Sequence, residues 1–307
     1  MTTKPGTEPG EFIHQPVMVQ EVLSNLQLKQ GSVVIDGTVG LGGHAGEILK
    51  VIAPSGRMLA LDRDEAALER AKGNLKAWES QTLFYHATYD RMEECWRSSG
   101  SPAASAILLD LGVSSLQIDD ASRGFSFLED APLDMRMNCE DELTAAEIVN
   151  RYSKARLVQV LRDYGEETAA PKIAERILFE RRKNPITTTK QLATLVIKAM
   201  PWLQRSRIHP ATRTFQALRI EVNRELEILE KFLAAPMPFL QKGGRLAVLS
   251  FHSLEDRRVK QFGKNCEAFK KIHKKPLTPS FEEVKHNSRC RSAKLRVFEK
   301  IGEYGDL

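Results

Sequence analysis

Four short apolar segments recur at nearly equal intervals in the first 110 residues, and each ends at a polar side chain. The segments are SVVIDG, RMLALDRD, TLFYHATY and SAILLDLG, and their terminal polar residues, Asp36, Asp62, His86 and Asp110, are spaced 26, 24 and 24 apart. Helix-like stretches such as HAGEILKVI lie between them. Apolar runs that do not alternate and that are separated by helices are typical of buried parallel strands. The spacing therefore predicts an α/β fold built on a doubly wound sheet.

This rhythm stops after Asp110 and resumes near the other end of the chain. Only helical patterns occur between about Leu143 and Met200, and a single long helix is predicted from about Thr214 to Ala235. Its apolar stripe consists of Phe215, Leu218, Val222, Leu226, Leu229 and Leu233. GGRLAVLSF and AKLRVFEKI then predict two further strands. We therefore expect an inserted all-helical domain over 119–213, with 1–118 and 214–307 forming the α/β domain.

The charge of the chain is divided unevenly between its two halves. Residues 1–150 carry 12 Lys and Arg against 23 Asp and Glu, whereas residues 151–307 carry 33 against 17. A strongly basic half favours a polyanionic partner such as a nucleic acid. Solvated helix faces would produce the same composition, so charge alone leaves both interpretations open.

Four widely separated cysteines bear on metal binding and on the cellular compartment. They are Cys95, Cys139, Cys266 and Cys290, and no C-x-x-C pair occurs. This argues against a zinc site and against a disulfide framework, and it fits a reducing cytoplasm. The segment MTTKPGTEPGEF has no signal-peptide profile, and no apolar run approaches the ~20 residues of a bilayer span. We expect a cytoplasmic protein without a metal ion or a membrane contact.

The segment VVIDGTVGLGGHAGEIL predicts a strand, a glycine-rich turn and the start of a helix. Gly40, Gly42 and Gly43 would let the backbone approach a ligand at the helix N-terminus. Asp62 ends the next strand, where a carboxylate can accept both hydroxyls of a ribose. Because the same glycines fit the loose dinucleotide motif, the turn leaves NAD, S-adenosylmethionine and no ligand at all as alternatives.

Two features favour S-adenosylmethionine over NAD. Asp36 directly precedes the turn, where a carboxylate could reach the amino-acid end of a zwitterionic cofactor. The chain also continues into basic helices, whereas a dinucleotide fold requires a second mononucleotide-binding half. His44 begins the helix, and a solvent-facing position is as compatible with the sequence as a ligand contact.

Further candidates follow the third and fourth strands. Asp110 lies at the carboxyl end of a strand, where ligands bind in open α/β sheets. The small polar groups that follow it are Gly112, Ser114, Ser115 and Gln117. Tyr89 could stack on an adenine, although its position alone favours an ordinary core aromatic.

The basic half contains its own candidates. Arg213 and Arg219 surround the start of a helix, and either could bond a phosphate or a neighbouring turn. His252 follows a strand and is equally compatible with acid–base chemistry and with a polar strand end. Arg257, Arg258 and Lys260 form a basic surface that could meet phosphates.

Seven segments in fixed order resemble one protein family. They are IDGTVGLGGHAGEIL, LALDRD, ILLDLGVSSLQIDDASRGFSF, PLDMRM, HPATRTFQALRIEVNRELE, SFHSLEDRRVK and RSAKLRVFEK. Together they resemble the ribosomal RNA small subunit methyltransferase H family, and the resemblance extends from about His14 to Lys300. It implies a class I S-adenosylmethionine-dependent methyltransferase fold with an inserted helical domain. The implied reaction is methylation of the N4 amino group of a decoding-site (P-site) cytosine in 16S rRNA.

The resemblance also implies roles for individual residues. The cofactor S-adenosyl-L-methionine would be bound by Gly40, Gly42, Gly43, His44, Asp62, Tyr89, Asp110 and Gln117. The implied partner is 16S rRNA within the small ribosomal subunit, with RNA contacts expected from Arg136, Arg213, Arg219, His252, Arg257, Arg258, Arg289 and Arg291. The oligomeric state stays open, and a homodimer is one alternative.

The sequence departs from a pattern common among exocyclic amino methyltransferases, which is an Asn/Asp/Ser-Pro-Pro-aromatic motif after the fourth strand. Here Asp110-Leu111-Gly112-Val113 stands in that place. The base-stacking and amino-orienting roles therefore cannot be transferred. Asp110 or a neighbouring carbonyl is the hypothetical catalytic acceptor, and a role in cofactor binding alone is the alternative for Asp110. An NAD-dependent dehydrogenase and a non-catalytic ribosome-assembly factor are the rival interpretations.

Overall fold

The computed structural model describes residues 16–201 and 209–302 of the chain, which divide into two compact units. The sheet unit combines the chain up to Gly112 with the chain from Ile228 onward, and the helical unit is Val113–Glu227. The segment MTTKPGTEPGEF considered above lies outside the described residues. The boundaries fall at Gly112 and Ile228 rather than at the expected positions 118 and 214.

A seven-stranded sheet forms the centre of the sheet unit. Its strands are β1 (Val33–Asp36), β2 (Arg57–Asp62), β3 (Thr82–His86), β4 (Ala104–Asp110), β5 (Leu240–Ser250), β6 (Phe269–Lys271) and β7 (Lys294–Lys300). The spatial order is β3-β2-β1-β4-β5-β7-β6. The first five strands pair in parallel, and β7 runs antiparallel to both β5 and β6. The predicted doubly wound α/β sheet is therefore confirmed, and β6 is an additional short strand.

Thirteen α-helices occur in the described part of the chain. They are α1 (Val19–Leu26), α2 (Gly43–Ile52), α3 (Glu65–Asn74), α4 (Met92–Ser99), α5 (Ser115–Asp119), α6 (Ala145–Arg151), α7 (Lys154–Asp163), α8 (Ala170–Arg181), α9 (Thr189–Ala199), α10 (Thr212–Asn223), α11 (Glu225–Ala234), α12 (Ser253–Asn265) and α13 (Phe281–His286). None of these helices is long and apolar enough to cross a membrane.

The two faces of the sheet bury alternate residues of the same strands. Val34 belongs to the cluster that also contains Ile48 and Leu49 of α2, whereas Ile35 belongs to the cluster that contains Phe232 of α11. Because side chains alternate across a strand, a strand covered on both faces must be apolar at every position. This is why the strands appear in the sequence as uninterrupted apolar runs.

The helical unit has its own apolar core. Ile173 and Ile177 of α8, Leu192 of α9 and Leu218 of α10 belong to one buried cluster. Since α10 begins at Thr212 and buries its apolar face in that cluster, the helical unit extends beyond the expected boundary at 213.

The predicted single helix from about Thr214 to Ala235 is wrong in one respect, because it is interrupted at Arg224. Arg224 adopts φ 50 and ψ 34, in the left-handed region, and α11 begins at the next residue. A left-handed residue cannot continue a right-handed helix. The apolar stripe is consequently divided, with Phe215 and Leu218 in the core of the helical unit and Leu229 and Leu233 in the sheet unit.

Candidate active site

The glycine turn between β1 and α2 lies at the carboxyl end of the parallel strands. Gly40 and Gly42 adopt φ 54 and φ 86, a region that residues with a Cβ rarely occupy. Among the described residues, a Cβ added to Gly40 would meet only the Thr38 carbonyl oxygen, at 3.9 Å. The backbone at Gly40 is therefore open on the side where a ligand could approach it closely.

Asp62, the last residue of β2, is fixed by backbone donors. Its Oδ2 accepts the Gly40 N–H at 2.8 Å and its Oδ1 accepts the Asp64 N–H at 2.8 Å. Burial raises the pKa of the Asp62 carboxyl to about 6. Each carboxylate oxygen has two acceptor sites, so both oxygens can accept a further hydrogen bond. This arrangement suits a pair of neighbouring hydroxyls.

Asp36 ends β1 and is almost fully buried, with 1% of its surface exposed. Burial raises the pKa of its carboxyl to about 7, although the hydrogen bond that its Oδ1 accepts from the Thr38 N–H at 3.1 Å acts to lower this pKa. A carboxyl group in this environment is only partly ionised at neutral pH. A cation placed beside it would favour the ionised form.

Asp110 and His44 form a pair between β4 and α2. Nδ1 of His44 lies 3.5 Å from Oδ2 of Asp110, and Nε2 of His44 lies 2.9 Å from the Val17 carbonyl oxygen. Since a carbonyl oxygen only accepts, Nε2 carries a proton. Burial opposes a charged imidazole, but the hydrogen bond to Asp110 and its charge outweigh burial and raise the pKa of His44.

The His44–Asp110 pair decides between the two alternatives for His44 and defines the orientation of Asp110. His44 is 6% exposed, so the solvent-facing alternative for it is wrong. The second carboxylate oxygen of Asp110, Oδ1, is buried and has no hydrogen-bond partner among the described residues. A buried acceptor without a donor is costly, by about 1–3 kcal/mol, and it marks a place where a ligand can donate.

Thr38 connects the two strand ends, and the sequence reasoning did not include it. Its N–H donates to Asp36, and its Oγ1 accepts the backbone N–H of Asp110 at 2.6 Å. The available signal was its place two residues after an aspartate, because Asp side chains often accept the N–H of the second residue onward. Thr38 thus fixes the spacing between the ends of β1 and β4.

Tyr89 lies in a single 3-10 turn after β3. Its ring meets the ring of Phe232 edge-on, with centroids 5.7 Å apart, and it packs against the core of the sheet unit. Gln117 belongs to the helical unit, where its side chain accepts the Ser114 N–H and completes the capping box of α5. The cofactor contacts expected of both residues stay predictions.

Several of the expected RNA-binding side chains form contacts within the protein. Arg136 forms an ion pair with Asp134 at 2.7 Å and also donates to two carbonyl oxygens. Arg219 forms a bidentate ion pair with Glu225. In the sheet unit, Arg258 pairs with Glu230 at 2.6 Å. Their RNA-binding role stays a prediction.

The remaining expected RNA contacts are exposed or serve as a helix cap. The exposed ones are Arg213, Arg257, Arg289 and Arg291. His252 is the N-cap of α12: its Nδ1 accepts the Glu255 N–H, and the Glu255 carboxylate accepts the His252 N–H. His252 therefore has a structural role as the N-cap of the helix that follows β5.

The described side chains near the turn thus combine three carboxylates with one imidazole. Asp36 is influenced by the charges of Asp110, Asp62 and His44, so these groups act within one electrostatic site. The excess of negative charge suits a ligand that carries a cation, and the free acceptor sites on Asp62 suit hydroxyl groups.

Comparisons with known proteins agree with this chemistry. A family model described as the MraW methylase family matches residues 11–301. The chain is 50% identical over 291 residues to a protein of Cyanothece sp. named Ribosomal RNA small subunit methyltransferase H, covering 95% of this chain and 96% of that protein. A protein of the same name from Lawsonia intracellularis is 45% identical over 310 residues, covering 94% and 99% respectively.

The comparison with solved structures gives a match of low sequence identity. It is a SAM dependent methyltransferase from Aquifex aeolicus, at 9% identity with a TM-score of 0.41, covering 93% of this chain and 90% of that one. The match of the family model to nearly the whole chain shows the family directly. The chain belongs to the MraW methylase family, a family of methyltransferases for which S-adenosyl-L-methionine is the expected cofactor.

Proposed function

We propose that this protein transfers a methyl group from S-adenosyl-L-methionine to the N4 amino group of a P-site cytosine in 16S rRNA. The proposed substrate is the RNA within the small ribosomal subunit, in the cytoplasm. Relatives that are named for methylation of small-subunit ribosomal RNA support this proposal. The observation that carries the proposal is the buried Oδ1 of Asp110 at the carboxyl end of β4, which has no hydrogen-bond partner among the described residues.

The described residues fit the proposed cofactor. Asp62 would accept the ribose hydroxyls with the acceptor sites that Gly40 and Asp64 leave free. Asp36 would face the cationic amino-acid end, because the ionised form of its carboxyl needs a positive neighbour. When bound, S-adenosyl-L-methionine supplies a methyl group on a positively charged sulfur, so the leaving group needs no further activation.

Asp110 is the group that this chain offers to the nucleophile. The lone pair of the cytosine amino group is delocalised into the ring, so the nitrogen is a poor nucleophile. An acceptor for one of its protons restores basicity as the new N–C bond forms. We place Oδ1 of Asp110 in this role: it accepts the hydrogen bond and takes the proton that the nitrogen loses.

His44 would keep Asp110 in the orientation required for this step. It holds Oδ2 from one side, while Thr38 holds the Asp110 backbone N–H from the other. A carboxylate fixed in this manner loses little further freedom when the substrate binds. The cytosine must also leave the base stack, because its amino group is not accessible inside folded RNA.

The proposal is tested with S-adenosyl-L-methionine that carries a labelled methyl group and with unmodified small ribosomal subunits. The rRNA is digested to nucleosides, and label is expected in N4-methylcytidine. Label in another nucleoside would overturn the proposed position. Subunit binding without any binding of S-adenosyl-L-methionine would overturn the reaction and favour a non-catalytic assembly factor.

Two matched variants separate the roles of the carboxylates. Asp110→Asn is expected to lower kcat at saturating cofactor by about 100-fold, the lower end of the range for general acid–base groups. Asp62→Asn is expected to raise the Kd for the cofactor and to leave kcat near that of the wild type. If Asp110→Asn weakens only cofactor binding, Asp110 serves the cofactor alone and the proposed proton transfer is wrong.

A further inference from the structure

An open groove runs along β6, the strand at one edge of the sheet, outside the candidate active site. Its volume is about 620 Å³, and its lining residues are Phe269, Lys270, Lys271, Ile272, Lys274 and Ile301. Half of these residues are lysines, all three of them exposed. The two isoleucines, of which Ile301 is 41% exposed, give the groove an apolar portion as well.

The positive charge of this groove is not neutralised by the described part of the protein. No described carboxylate forms an ion pair with Lys270, Lys271 or Lys274. Glu299 lies directly opposite Lys270 in the β6–β7 ladder, but its carboxylate pairs with Arg245 at 2.7 Å. The nearest acidic residue along the chain, Glu267, is exposed to solvent. The lysines therefore present net positive charge to whatever enters the groove.

The position of β6 at the edge of the sheet brings these lysines together. Lys270 and Lys271 are consecutive, so they lie on opposite faces of the strand. The Lys271 side chain passes over Gly263 of α12, with its Cγ 3.2 Å from the place where a Cβ on that glycine would be. Because β6 is the outermost strand of the sheet in the described part of the chain, both lysines can reach the same groove around the edge of the sheet.

The peptide groups at this edge add further polar sites. Ile272 donates its N–H to the Val297 carbonyl oxygen at 3.0 Å. In an antiparallel ladder alternate residues bond to the partner strand, so the peptide groups of Lys271 face away from β7. A phosphate in the groove would therefore meet a backbone N–H as well as ammonium groups.

The groove lies within the reach of an RNA strand that is bound at the active site. Two strands, β5 and β7, separate β6 from β4, which carries Asp110. Three steps at ~4.8 Å place β6 about 14 Å from β4 across the sheet. The strand registers also place Lys270 level with Ala106, four residues before Asp110, which adds about 13 Å along the strands. The separation between the groove and Asp110 is therefore about 20 Å. This is a short distance for a polyanion, since nucleic acid contacts commonly extend over several nucleotides.

We propose that this groove binds the phosphate backbone of the RNA strand that flanks the methylated base. The inference rests on the proposed function for the identity of the polyanion. Ammonium groups bind phosphates without regard to sequence, so the groove would hold and position the RNA, while the active site selects the base. A competing explanation is that the lysines protect the open strand edge from pairing with another chain.

A triple variant tests the groove, with a matched control for the loss of charge. Lys270, Lys271 and Lys274 are changed together to Gln, and the control changes the exposed Lys29, Lys76 and Lys242 to Gln. The affinity for a 20-nucleotide single-stranded RNA is measured from 50 to 300 mM KCl, and KM is measured with unmodified small ribosomal subunits.

The groove variant is expected to reduce the slope of log K against log salt concentration by about 2, since each phosphate contact to a single strand contributes ~0.7. Its KM for subunits should rise, while kcat and the Kd for S-adenosyl-L-methionine stay unchanged. The control should reduce the slope by less than half as much. Replacement of the same three groove lysines by Arg should retain the wild-type slope.

Other results would overturn the inference. An unchanged slope in the groove variant would refute it, and dimers or larger assemblies of that variant in sedimentation would then assign the lysines to edge protection. The test is independent of the proposed reaction. If the wild type methylates rRNA but the slope does not change, only the groove is wrong; if the slope changes but no rRNA is methylated, only the reaction is wrong.

Discussion

Replacement of Asp36 by Asn should stabilise the protein at alkaline pH. The Asp36 carboxyl is 1% exposed, and its pKa rises from 3.8 to about 7 on folding, chiefly because burial disfavours the charge. Between these two pH values, the folded protein retains a proton that the unfolded chain releases. The free energy of unfolding therefore falls as the pH rises through this window.

The magnitude follows from the size of the shift. Each pH unit inside the window changes the free energy by about 1.4 kcal/mol, so the two units from pH 5 to pH 7 remove about 3 kcal/mol from the wild type. Asn cannot ionise, and its side-chain oxygen can still accept the Thr38 N–H. The stability of Asp36→Asn relative to the wild type should consequently increase by about 3 kcal/mol between pH 5 and pH 8.

Urea unfolding followed by tryptophan fluorescence measures this difference, because Trp78 and Trp96 lie in the sheet unit. His44, Asp62 and Asp110 also influence Asp36 and are present in both proteins, so the measured difference reports Asp36 together with its coupling to these three groups. Glu79→Gln, at an exposed carboxylate, is the control for the loss of a carboxyl group.

One outcome would refute the reasoning. If the difference between Asp36→Asn and the wild type stays constant within 0.5 kcal/mol from pH 5 to pH 8, burial does not perturb this carboxyl. The same variant should also bind S-adenosyl-L-methionine more weakly, because it lacks a negative charge in the candidate site. A substitution that raises stability and weakens ligand binding is a common trade-off where a site holds an unfavourable charge.

Three further predictions concern the cofactor and the two units. Binding of S-adenosyl-L-methionine near pH 6.5 should release protons, because the cation favours the ionised forms of the Asp36 and Asp62 carboxyls, whose pKa values are raised. The affinity for the cofactor should therefore rise with pH. Calorimetry in buffers of different ionisation enthalpy measures the released protons, and a result without proton release would contradict this prediction. Gly124→Ala should destabilise the helical unit by about 2–4 kcal/mol, because an added Cβ would overlap the Pro132 carbonyl oxygen at a residue with φ 71. Gly100→Ala has a similar φ of 61 but open space, so thermal unfolding should show a loss of only about 1 kcal/mol, and equal losses would discount the overlap. Lys300→Met should cost about 2–4 kcal/mol in urea unfolding, because the buried Nζ donates at 3.0 Å to two carbonyl oxygens that would be left without it; a neutral result would mean that water replaces the ammonium group.

The strands of the sheet could be predicted because burial on both faces leaves a direct trace in the sequence. β6 was missed because Phe269–Lys271 has three residues, two of which are lysines at an open edge. The interruption at Arg224 was missed because the apolar spacing continues across it, while the two halves of the stripe enter different cores. Periodicity records which side of a helix is buried, but it does not record what that side packs against.

The site residues were predictable by type and strand position but not by environment. Asp36, Asp62 and Asp110 could be placed at strand ends, because polar residues there follow apolar runs. The pairing of His44 with Asp110 and the link through Thr38 depend on contacts between residues 66 and 72 positions apart, and no local pattern encodes such contacts. His252 shows the opposite case, since its spacing from Glu255 fits a capping box that local reasoning could have included.

The insertion between β4 and β5 has a consequence for the synthesis of this chain. The two strands are neighbours in the sheet, yet Asp110 and Leu240 are separated by about 130 residues. At roughly 5–20 residues per second, a ribosome needs on the order of ten seconds to make that stretch. During this interval β4 stays at the edge of a partial sheet, with Ile107, Leu108 and Leu109 ready to pair with another strand. A helical unit that has its own core can fold within the same interval, and the nascent chain then has one exposed strand edge to protect rather than a long unfolded loop.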